Sequence, residues 1–310
     1  MRRTAVLVVL VLAIGGLAAC GQDVAPGAGG TGGTGGTGGT GGNPDIGAGS
    51  GSSVGGEVQG VGMVLENPDH GPQICLGGIG FSYPPQCSGP DLVGWDWADV
   101  DGAESANGAT WGYYAVTGTW DGERLTVTKV EAPEDASGQP SVEDPNLMTP
   151  CDPPAAGWGV VDAATATDEA KQRALDHAAT EPDFAGAWLD QSINSAYADW
   201  SEGENETFLD DPTKLVLNVM FTGDLERHEA EIRAVWGGAL CVSTAPRSRA
   251  ELLAIQAALN EEPGVLGTDP DGRAGTVEVS VIIDDGLQER VDQEYGAGVV
   301  FVTPALLPVE

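Results

Sequence analysis

The sequence predicts an α+β protein, in which a small all-β barrel or sandwich domain is followed by an α/β layered domain. Residues 57–131 contain short apolar runs separated by Gly, Pro and Asp, a pattern typical of an all-β domain. Residues 157–310 alternate helical and strand patterns, which predicts helices packed on a sheet. The Pro- and acid-rich residues 132–156 are predicted to link the two domains.

One strong turn signal marks the first domain. Asp121-Gly122 joins two alternating runs, and this dipeptide predicts a tight β-hairpin because Gly accepts a positive φ. About five strands in about 75 residues suit a small barrel, and the region resembles the oligomer-binding barrel in size and hairpin layout. The main strand-like runs are Val58–Leu65, Leu92–Trp97, Trp111–Trp120 and Arg124–Val130.

The second domain is predicted to have the order βαβαβαβ, with its helices mainly on one face of the sheet. Thr167 is expected to cap a helix that runs to Ala179, and Ser248 with Glu251 has the spacing of a capping box. A further helix, capped by Asp224, is expected to run through Val235, and another is expected to begin at Asp285 and to end at Gly296. The predicted strands are Lys214–Phe221, Ala239–Ser243, Thr276–Ile283 and Gly298–Thr303.

The chain begins like a secretory signal peptide. Arg2 and Arg3 precede an apolar run that ends at Ala19, which is shorter than the roughly 20 residues that a helix needs to cross a bilayer. The segment Leu17-Ala18-Ala19-Cys20 resembles the lipobox of bacterial lipoproteins. In that family the cysteine receives diacylglycerol and the chain is cut just before it. The resemblance implies a signal peptide at 1–19, an acyl chain such as palmitate on Cys20, and a location at the outer face of the cytoplasmic membrane.

Residues 20–56 are predicted to form a disordered tether that begins at the lipidated cysteine. From residue 26 onward they are mostly Gly, Thr and Ser, and such a segment cannot bury enough apolar surface to offset its conformational entropy. A flexible coil of some 30 residues spans about 30 Å on average. The tether is therefore expected to hold the folded domains outside the bilayer.

The charge balance restricts the partners. The chain has 47 Asp and Glu against 13 Lys and Arg, a formal net charge of −34. Such a polyanion repels nucleic acid and anionic headgroups, so nucleic acid is excluded as a partner and membrane contact is expected through the covalent lipid. Cations, including Ca²⁺, and basic proteins remain as charged partners.

Four cysteines follow the tether, and an even count in an exported chain favours disulfides. Three connectivities are possible. Cys75 and Cys87 flank a short Gly/Pro segment, which favours Cys75–Cys87 together with Cys151–Cys241. A zinc site is the alternative, but there is no CxxC pair, and the three histidines are scattered along the chain at His70, His177 and His228.

A few residues are candidates for binding or chemistry. Trp95 and Trp97 are expected on one strand face, where they either pack in the core, which is favoured, or form an exposed strip that stacks on wall sugars or a partner protein. His228 falls on the apolar face of its helix, so a packing histidine is favoured over a general base. The acidic groups of Asp96, Asp99 and Asp101, of Asp269 and Asp271, and of Asp284 and Asp285 lack the spacing of a calcium loop.

Four segments together resemble uncharacterised exported proteins and lipoproteins of actinobacteria: Gln73-Ile-Cys-Leu-Gly77, Gly94-Trp-Asp-Trp97, Phe221-Thr-Gly-Asp-Leu-Glu-Arg-His228 and Trp236-Gly-Gly-Ala-Leu-Cys241. The resemblance implies a lineage and a location without an activity. No nucleophile elbow, phosphate loop or dinucleotide fingerprint is present in the sequence. The leading hypothesis is a non-enzymatic binding or assembly module that contacts cell-wall glycan or envelope proteins and needs no cofactor. The alternatives are a glycan hydrolase with paired carboxylates and a calcium-dependent adhesion module.

Overall fold

The computed structural model describes residues 56–133, 148–195 and 211–309. The predicted signal peptide, Cys20 and nearly all of the predicted tether lie outside these residues, as does the middle of the predicted linker. The described part of the chain is mixed α and β, with more strand than helix. None of the helices in these ranges is long and apolar enough to cross a membrane.

The first region is a closed five-stranded barrel. Its strands, with one short extra strand, β4, are β1 (Glu57–Asn67), β2 (His70–Cys75), β3 (Asp91–Val93), β4 (Glu104–Ala106), β5 (Ala109–Trp120) and β6 (Arg124–Glu131). The order around the barrel is β1-β2-β3-β6-β5, and the antiparallel pairing of β1 with β5 closes it. The pairing of β3 with β6 is parallel, whereas the other pairs in the barrel are antiparallel. Of the two predicted architectures, the structure has the barrel.

The predicted hairpin is present between β5 and β6. Gly122 has a φ of 102°, which a residue with a side chain rarely adopts. The Asp121 carboxylate accepts hydrogen bonds from the backbone N–H groups of Arg124 and Glu123, and these bonds hold its pKa below the usual value. The residues that point inward form the barrel core: Val58, Val64, Ile74, Leu92, Tyr114, Val116, Trp120 and Leu125.

One predicted strand of the barrel is wrong in its extent. The run Leu92–Trp97 is a strand only as far as Val93, because Gly94 has a φ of 85° and turns the chain. Trp97 then begins a short 3-10 helix, Trp97–Asp99, which the Asp96 carboxylate caps by accepting from the backbone N–H of Ala98. Trp95 and Trp97 therefore do not share a strand face.

The second region contains the same five-element arrangement twice. The first repeat consists of α1 (Asp168–Thr180), β7 (Phe184–Asp190), β8 (Val216–Phe221), α2 (Leu225–Arg233) and β9 (Ala239–Thr244). The second repeat consists of α3 (Arg249–Leu259), β10 (Val265–Asp271), β11 (Thr276–Val281), α4 (Leu287–Tyr295) and β12 (Val300–Pro304). In each repeat the first strand pairs antiparallel with the second, and the second pairs parallel with the third.

Details of register and hydrogen bonding match between the repeats. The first strand has seven residues in each, with a register shift at Gly186 in one and at Gly267 in the other. The helix between the parallel strands has nine residues in each. Thr222 donates its backbone N–H to the carbonyl of Asp183, as Ile282 does to Gly264. These correspondences align the two repeats residue by residue along their first helix and strand.

The predicted βαβαβαβ order in one layered sheet is therefore replaced by two separate three-stranded sheets, each with the order αββαβ. The strands β7 and β10 were not predicted. Their sequences lack the usual signals of a strand. In β7 apolar and polar residues do not alternate, and β10 contains Gly, Pro and two Asp, which are typical of turns. The alternation predicted for Thr276–Ile283 is confirmed in β11, where Val277, Val279 and Val281 are buried and Glu278 and Ser280 are exposed.

The C-terminal strand belongs to the barrel sheet. After the second repeat, β13 (Leu306–Pro308) pairs antiparallel with β1, and Leu306 is fully buried in the barrel core. Ile282 and Ile283, which follow β11, also pack against that core. The second repeat is thus held to the barrel by both main-chain pairing and apolar contact.

Candidate functional site

The two tryptophans predicted as a possible sugar-binding strip pack against the protein instead. The Trp95 and Trp97 rings contact each other edge to face, with centroids 5.2 Å apart, and Trp95 meets the Tyr114 ring at the same distance. The Trp97 indole N–H donates to the Glu66 carboxylate at 2.5 Å. Both residues are half-buried and pack on the barrel core, which is the packing alternative of the sequence analysis.

On the barrel surface beside this aromatic cluster lies an open groove of about 600 Å³. Its walls come from β5, from the segment that leads into β4, and from the end of β6. The side chains of interest are four acids and three aromatic residues, namely Asp99, Asp101, Glu104, Glu131, Trp111, Tyr113 and Tyr114. We call this site the acidic groove. No Lys, Arg or His is among the described residues that line it.

The carboxylates of the acidic groove are only partly neutralised. Glu131 is paired with Lys129 at 2.8 Å. Asp99, Asp101 and Glu104 have no ion-pair partner within the described ranges. Uncompensated carboxylates that line one concave surface create a negative potential, which attracts cations and repels anions.

The aromatic wall depends on the alternation of β5. Tyr113 points outward and is 48% exposed, whereas its neighbour Tyr114 points inward and is buried. Burial raises the pKa of Tyr114, and the Asp101 carboxylate raises it further, so the phenol stays protonated and donates to the backbone carbonyl of Asp101 at 3.0 Å. An exposed phenol ring beside carboxylates is suited to hold an ammonium or guanidinium group against its face.

Gly112 is needed for this arrangement because the Tyr114 ring lies across it. A Cβ at position 112 would meet the Tyr114 hydroxyl oxygen at 2.4 Å and two ring carbons at 2.6 and 2.7 Å. Any side chain there would push the ring away from the Trp95 and Trp97 cluster. The groove residues Tyr113, Glu104 and Glu131 were missed by the sequence analysis. The usable signal was the neighbouring pair Tyr113-Tyr114, because successive side chains of a strand point to opposite faces and one of the two rings must point outward.

The four cysteines after the tether form the favoured pairs. Cys75 is bonded to Cys87, and Cys151 is bonded to Cys241. The first disulfide closes the segment between β2 and β3, whose Tyr83 ring contacts Trp111 edge to face at 5.6 Å. The second joins the residues before α1 to β9. Two disulfides are consistent with an exported protein.

The remaining acidic candidates have local structural roles. The Asp271 carboxylate accepts from the backbone N–H groups of Arg273 and Ala274, which forms the turn between β10 and β11. Asp284 accepts in the same way from Gly286 and Gln288 at the start of α4. Asp269 lies on β10. None of them lines the acidic groove.

A second cavity of about 380 Å³ lies between the repeats. It is lined by Met148, Pro150, Trp188, Met220, Asp271, Arg273 and Ala274. The Arg273 guanidinium stands 4.8 Å from the centre of the Trp188 ring, so a cation–π contact already holds one wall of the cavity in place. The acidic groove is larger and has the more distinct charge, and it is therefore the better candidate for ligand binding.

His228 lies on the buried face of α2, as predicted, and is 1% exposed. The prediction for Asp224 was only partly correct. It stands at the N-cap position of α2 with a left-handed φ of 50°, but its carboxylate accepts from Arg227 instead of from the backbone of the helix. The start of α4 also differs from the prediction, because the helix expected to begin at Asp285 begins at Leu287, with Gly286, at a φ of 97°, as its N-cap.

Comparison of the sequence with models of known protein families gave no match, and comparison with curated proteins gave none either.

Proposed function

We propose that the protein is a non-enzymatic binding lipoprotein of the bacterial envelope, anchored at the outer face of the cytoplasmic membrane by lipid on Cys20. The signal-peptide pattern and the lipobox-like Leu17-Ala18-Ala19-Cys20 support the anchor. Mass spectrometry of the native N-terminus tests it. The expected mass is that of a chain that begins at an acylated Cys20. A chain that keeps its leader, or an unmodified cysteine, would contradict this part of the proposal.

The ligand that the acidic groove fits best carries amino or guanidinium groups. The observation that carries this proposal is that four carboxylates and the exposed Tyr113 ring line the same groove, with no basic side chain in the described lining. Carboxylates and an aromatic face together hold cations by ion pairing and cation–π attraction. A basic segment of an envelope protein has this chemistry, whereas a neutral glycan would use only the ring and hydrogen bonds.

The binding test compares two probes on the exported chain. A pentalysine peptide and a neutral chitin oligosaccharide are titrated separately, with intrinsic fluorescence and calorimetry as readouts. We expect the peptide to bind and its affinity to fall with added salt, because exposed charges are screened. Binding of the oligosaccharide alone would contradict the cationic-ligand proposal and would favour the glycan partner.

Two charge-matched double variants locate the binding. Asp99→Asn with Glu104→Gln removes two groove carboxylates and is expected to weaken peptide binding by roughly 2- to 30-fold, since exposed ion pairs contribute about 0.2–1 kcal/mol each. Glu169→Gln with Glu261→Gln removes two exposed charges on α1 and just after α3, and should leave the affinity nearly unchanged. Equal losses in both variants would mean that the peptide responds only to net charge.

The same samples distinguish the two other hypotheses. Release of reducing ends from cell-wall glycan that the groove variant abolishes would indicate a hydrolase with paired carboxylates. A melting temperature that rises with millimolar Ca²⁺ in the unsubstituted chain, but not in the groove variant, would indicate the calcium-dependent module. Neither is expected.

A further inference from the structure

The two repeats provide an internal comparison that identifies unusual residues in the first one. In both, an arginine on the second helix binds the glutamate that precedes the first strand: Arg227 reaches Glu181 at 3.0 Å, and Arg290 reaches Glu262 at 3.1 Å. Each arginine also contacts an aspartate near the start of its helix, Asp224 or Asp285. This pair is therefore part of the repeated architecture, and it aligns the residues around it.

Three positions next to this pair differ in kind between the repeats. The residue after the arginine is His228 in the first repeat and Val291 in the second, and both are buried. The residue two places after the glutamate is Asp183 in the first repeat and glycine in the second. The residue four places before the glutamate is His177 in the first repeat and alanine in the second. The fold thus forms without His, Asp and His at these positions, so they are not required by the architecture.

These three residues come from separate elements and meet in one cluster. The His228 Nε2 lies 2.8 Å from the Asp183 Oδ2, and its Nδ1 lies 4.0 Å from the Glu181 Oε2. The His177 Nε2 lies 3.3 Å from the Glu231 Oε2. The ring of His228 stacks on Phe221 with centroids 3.6 Å apart, which fixes its orientation. The second carboxylate oxygen of Asp183 is buried and has no hydrogen-bond partner.

We propose that the first repeat carries a binding site for a divalent transition-metal ion, with zinc as the reference ion, that the second repeat lacks. The ligands are His177 and His228 together with the carboxylates of Glu181, Asp183 and Glu231. They form two overlapping triads that share Glu181, and within each triad the ligand atoms lie within 4.8 Å of one another. Zinc binds imidazole nitrogen and carboxylate oxygen at about 2.0–2.2 Å, so small side-chain movements complete the coordination. Imidazole ligands favour zinc or a similar ion over calcium and magnesium.

The cluster also has the charge to hold a cation. Three carboxylates, those of Glu181, Asp224 and Glu231, contact the guanidinium of Arg227, and a fourth, that of Asp183, contacts His228. Arg227 places its Nη1 between Glu181 and Glu231 and its Nη2 3.0 Å from His228 Nε2, so the guanidinium stands where the metal would bind. Its side chain is 39% exposed and can turn outward while its Nε keeps the bond to Asp224. Metal binding is then an exchange of one cation for another.

The test uses zinc alone, added to the exported chain after treatment with a chelator, in the presence of excess Ca²⁺ to fill sites that offer only oxygen ligands. Calorimetry and thermal unfolding are the readouts. One saturable zinc per chain and a higher melting temperature are expected. Replacing a first-repeat residue with its counterpart from the second repeat, as in His177→Ala or Asp183→Gly, should weaken zinc binding roughly tenfold or more. The control is His70→Ala, since His70 lies on β2 outside the cluster and should not change zinc affinity.

The Arg227→Gln variant separates metal binding from a purely structural role of the cluster, because only a metal site would gain zinc affinity from it. Because it removes the competing cation, zinc should bind more tightly than in the unsubstituted chain. The combined variant His177→Ala, Asp183→Gly and His228→Val gives the first repeat the second repeat's residues at all three positions and should bind no zinc, while circular dichroism checks that it folds. The proposal is overturned if the unsubstituted chain takes up no saturable zinc, if the combined variant binds zinc as well as the unsubstituted chain, or if His70→Ala alone removes binding.

Discussion

Removal of the Cys151–Cys241 disulfide should destabilise the protein more than removal of Cys75–Cys87. A disulfide restricts the unfolded chain, and in the chain-entropy treatment the restriction grows with the logarithm of the loop length. Cys151 and Cys241 are 90 residues apart in sequence, whereas Cys75 and Cys87 are 12 apart. With the entropy taken as 2.1 plus 1.5R ln n cal/mol/K, the losses at 25 °C are about 4.6 and about 2.8 kcal/mol.

The two disulfides are well matched apart from loop length, which makes their difference informative. Each joins a buried cysteine to a half-buried one: Cys241 is 1% exposed and Cys75 is 4% exposed, and their partners are Cys151 and Cys87. Replacing each pair with alanine therefore removes similar packing from both sites. The predicted gap of roughly 2 kcal/mol between the two double variants then reports mainly the entropy of the unfolded chain.

Urea unfolding of the unsubstituted chain and of the two double variants measures the gap. Tryptophan fluorescence and circular dichroism should give coincident transitions, which is required before the free energies of unfolding are compared. The unfolding slope should rise in both variants because their unfolded chains expose more surface. If the Cys75→Ala, Cys87→Ala variant loses as much stability as the other or more, loop length does not govern the effect and the reasoning is refuted.

Three further predictions concern Gly112 in the groove, the N-caps of two helices, and the carboxylate of Asp190 at the end of β7. Gly112→Ala should cost about 1–3 kcal/mol because its methyl group would collide with the Tyr114 ring, and near-ultraviolet circular dichroism should change. Gly78→Ala, where nothing lies within 4 Å of the added carbon, is the control, and an equal loss there would contradict the reasoning. Ser248→Ala should cost about 1 kcal/mol and more than Thr167→Ala, because the Ser248 hydroxyl accepts from the Glu251 N–H and also donates to the Glu251 carboxylate, whereas the Thr167 hydroxyl caps one N–H alone; thermal unfolding of both variants checks the order. Burial raises the pKa of Asp190, but hydrogen bonds from Ser192 and Thr149 outweigh it and leave the pKa below its usual value. The stability from ionised Asp190 is therefore present above the unfolded-state pKa of about 3.9 and is lost as the pH falls through the lower folded-state value. Asp190→Asn should be less stable than the unsubstituted chain at pH 7 by about 1–2 kcal/mol, with the difference shrinking at pH 3, and a difference that stays constant between these pH values would contradict the assignment.

The barrel could be predicted from sequence because its signals are local. The apolar runs that become β5 and β6 and the Asp121-Gly122 turn are each set by a few neighbouring residues, and the structure contains both strands and the turn. The disulfide pairs followed from spacing. The extent of β3 could not be predicted, because a glycine such as Gly94 can lie inside a strand or end it, and the positive φ that ends β3 is visible only in the structure.

The repeats were missed because sequence similarity between them is slight. Along α1 and β7, the residues that match the second repeat are Glu181, Pro182, Gly186 and Asp190. A fold constrains which positions are buried more than it constrains residue identity, so a His and a Val can hold equivalent places. The His228 cluster was missed for a related reason. Its members are distant in sequence and meet only when α1, the turn before β7 and α2 pack together.

Two acidic clusters of the described residues differ in the chemistry of their ligands, and each selects a different cation. In the acidic groove the ligands are carboxylates and an exposed phenol ring, a hard and open surface that a mobile alkylammonium or guanidinium group can enter. In the first repeat the carboxylates meet two imidazoles on a rigid frame, and imidazole nitrogen binds transition metals far better than it binds amines. We therefore expect amines to bind more tightly to the acidic groove than to the histidine cluster of the first repeat, and zinc to bind more tightly to that cluster. If both proposals are correct, zinc and the pentalysine peptide should bind the same molecule without competition, and mutual displacement would show that they share a single site.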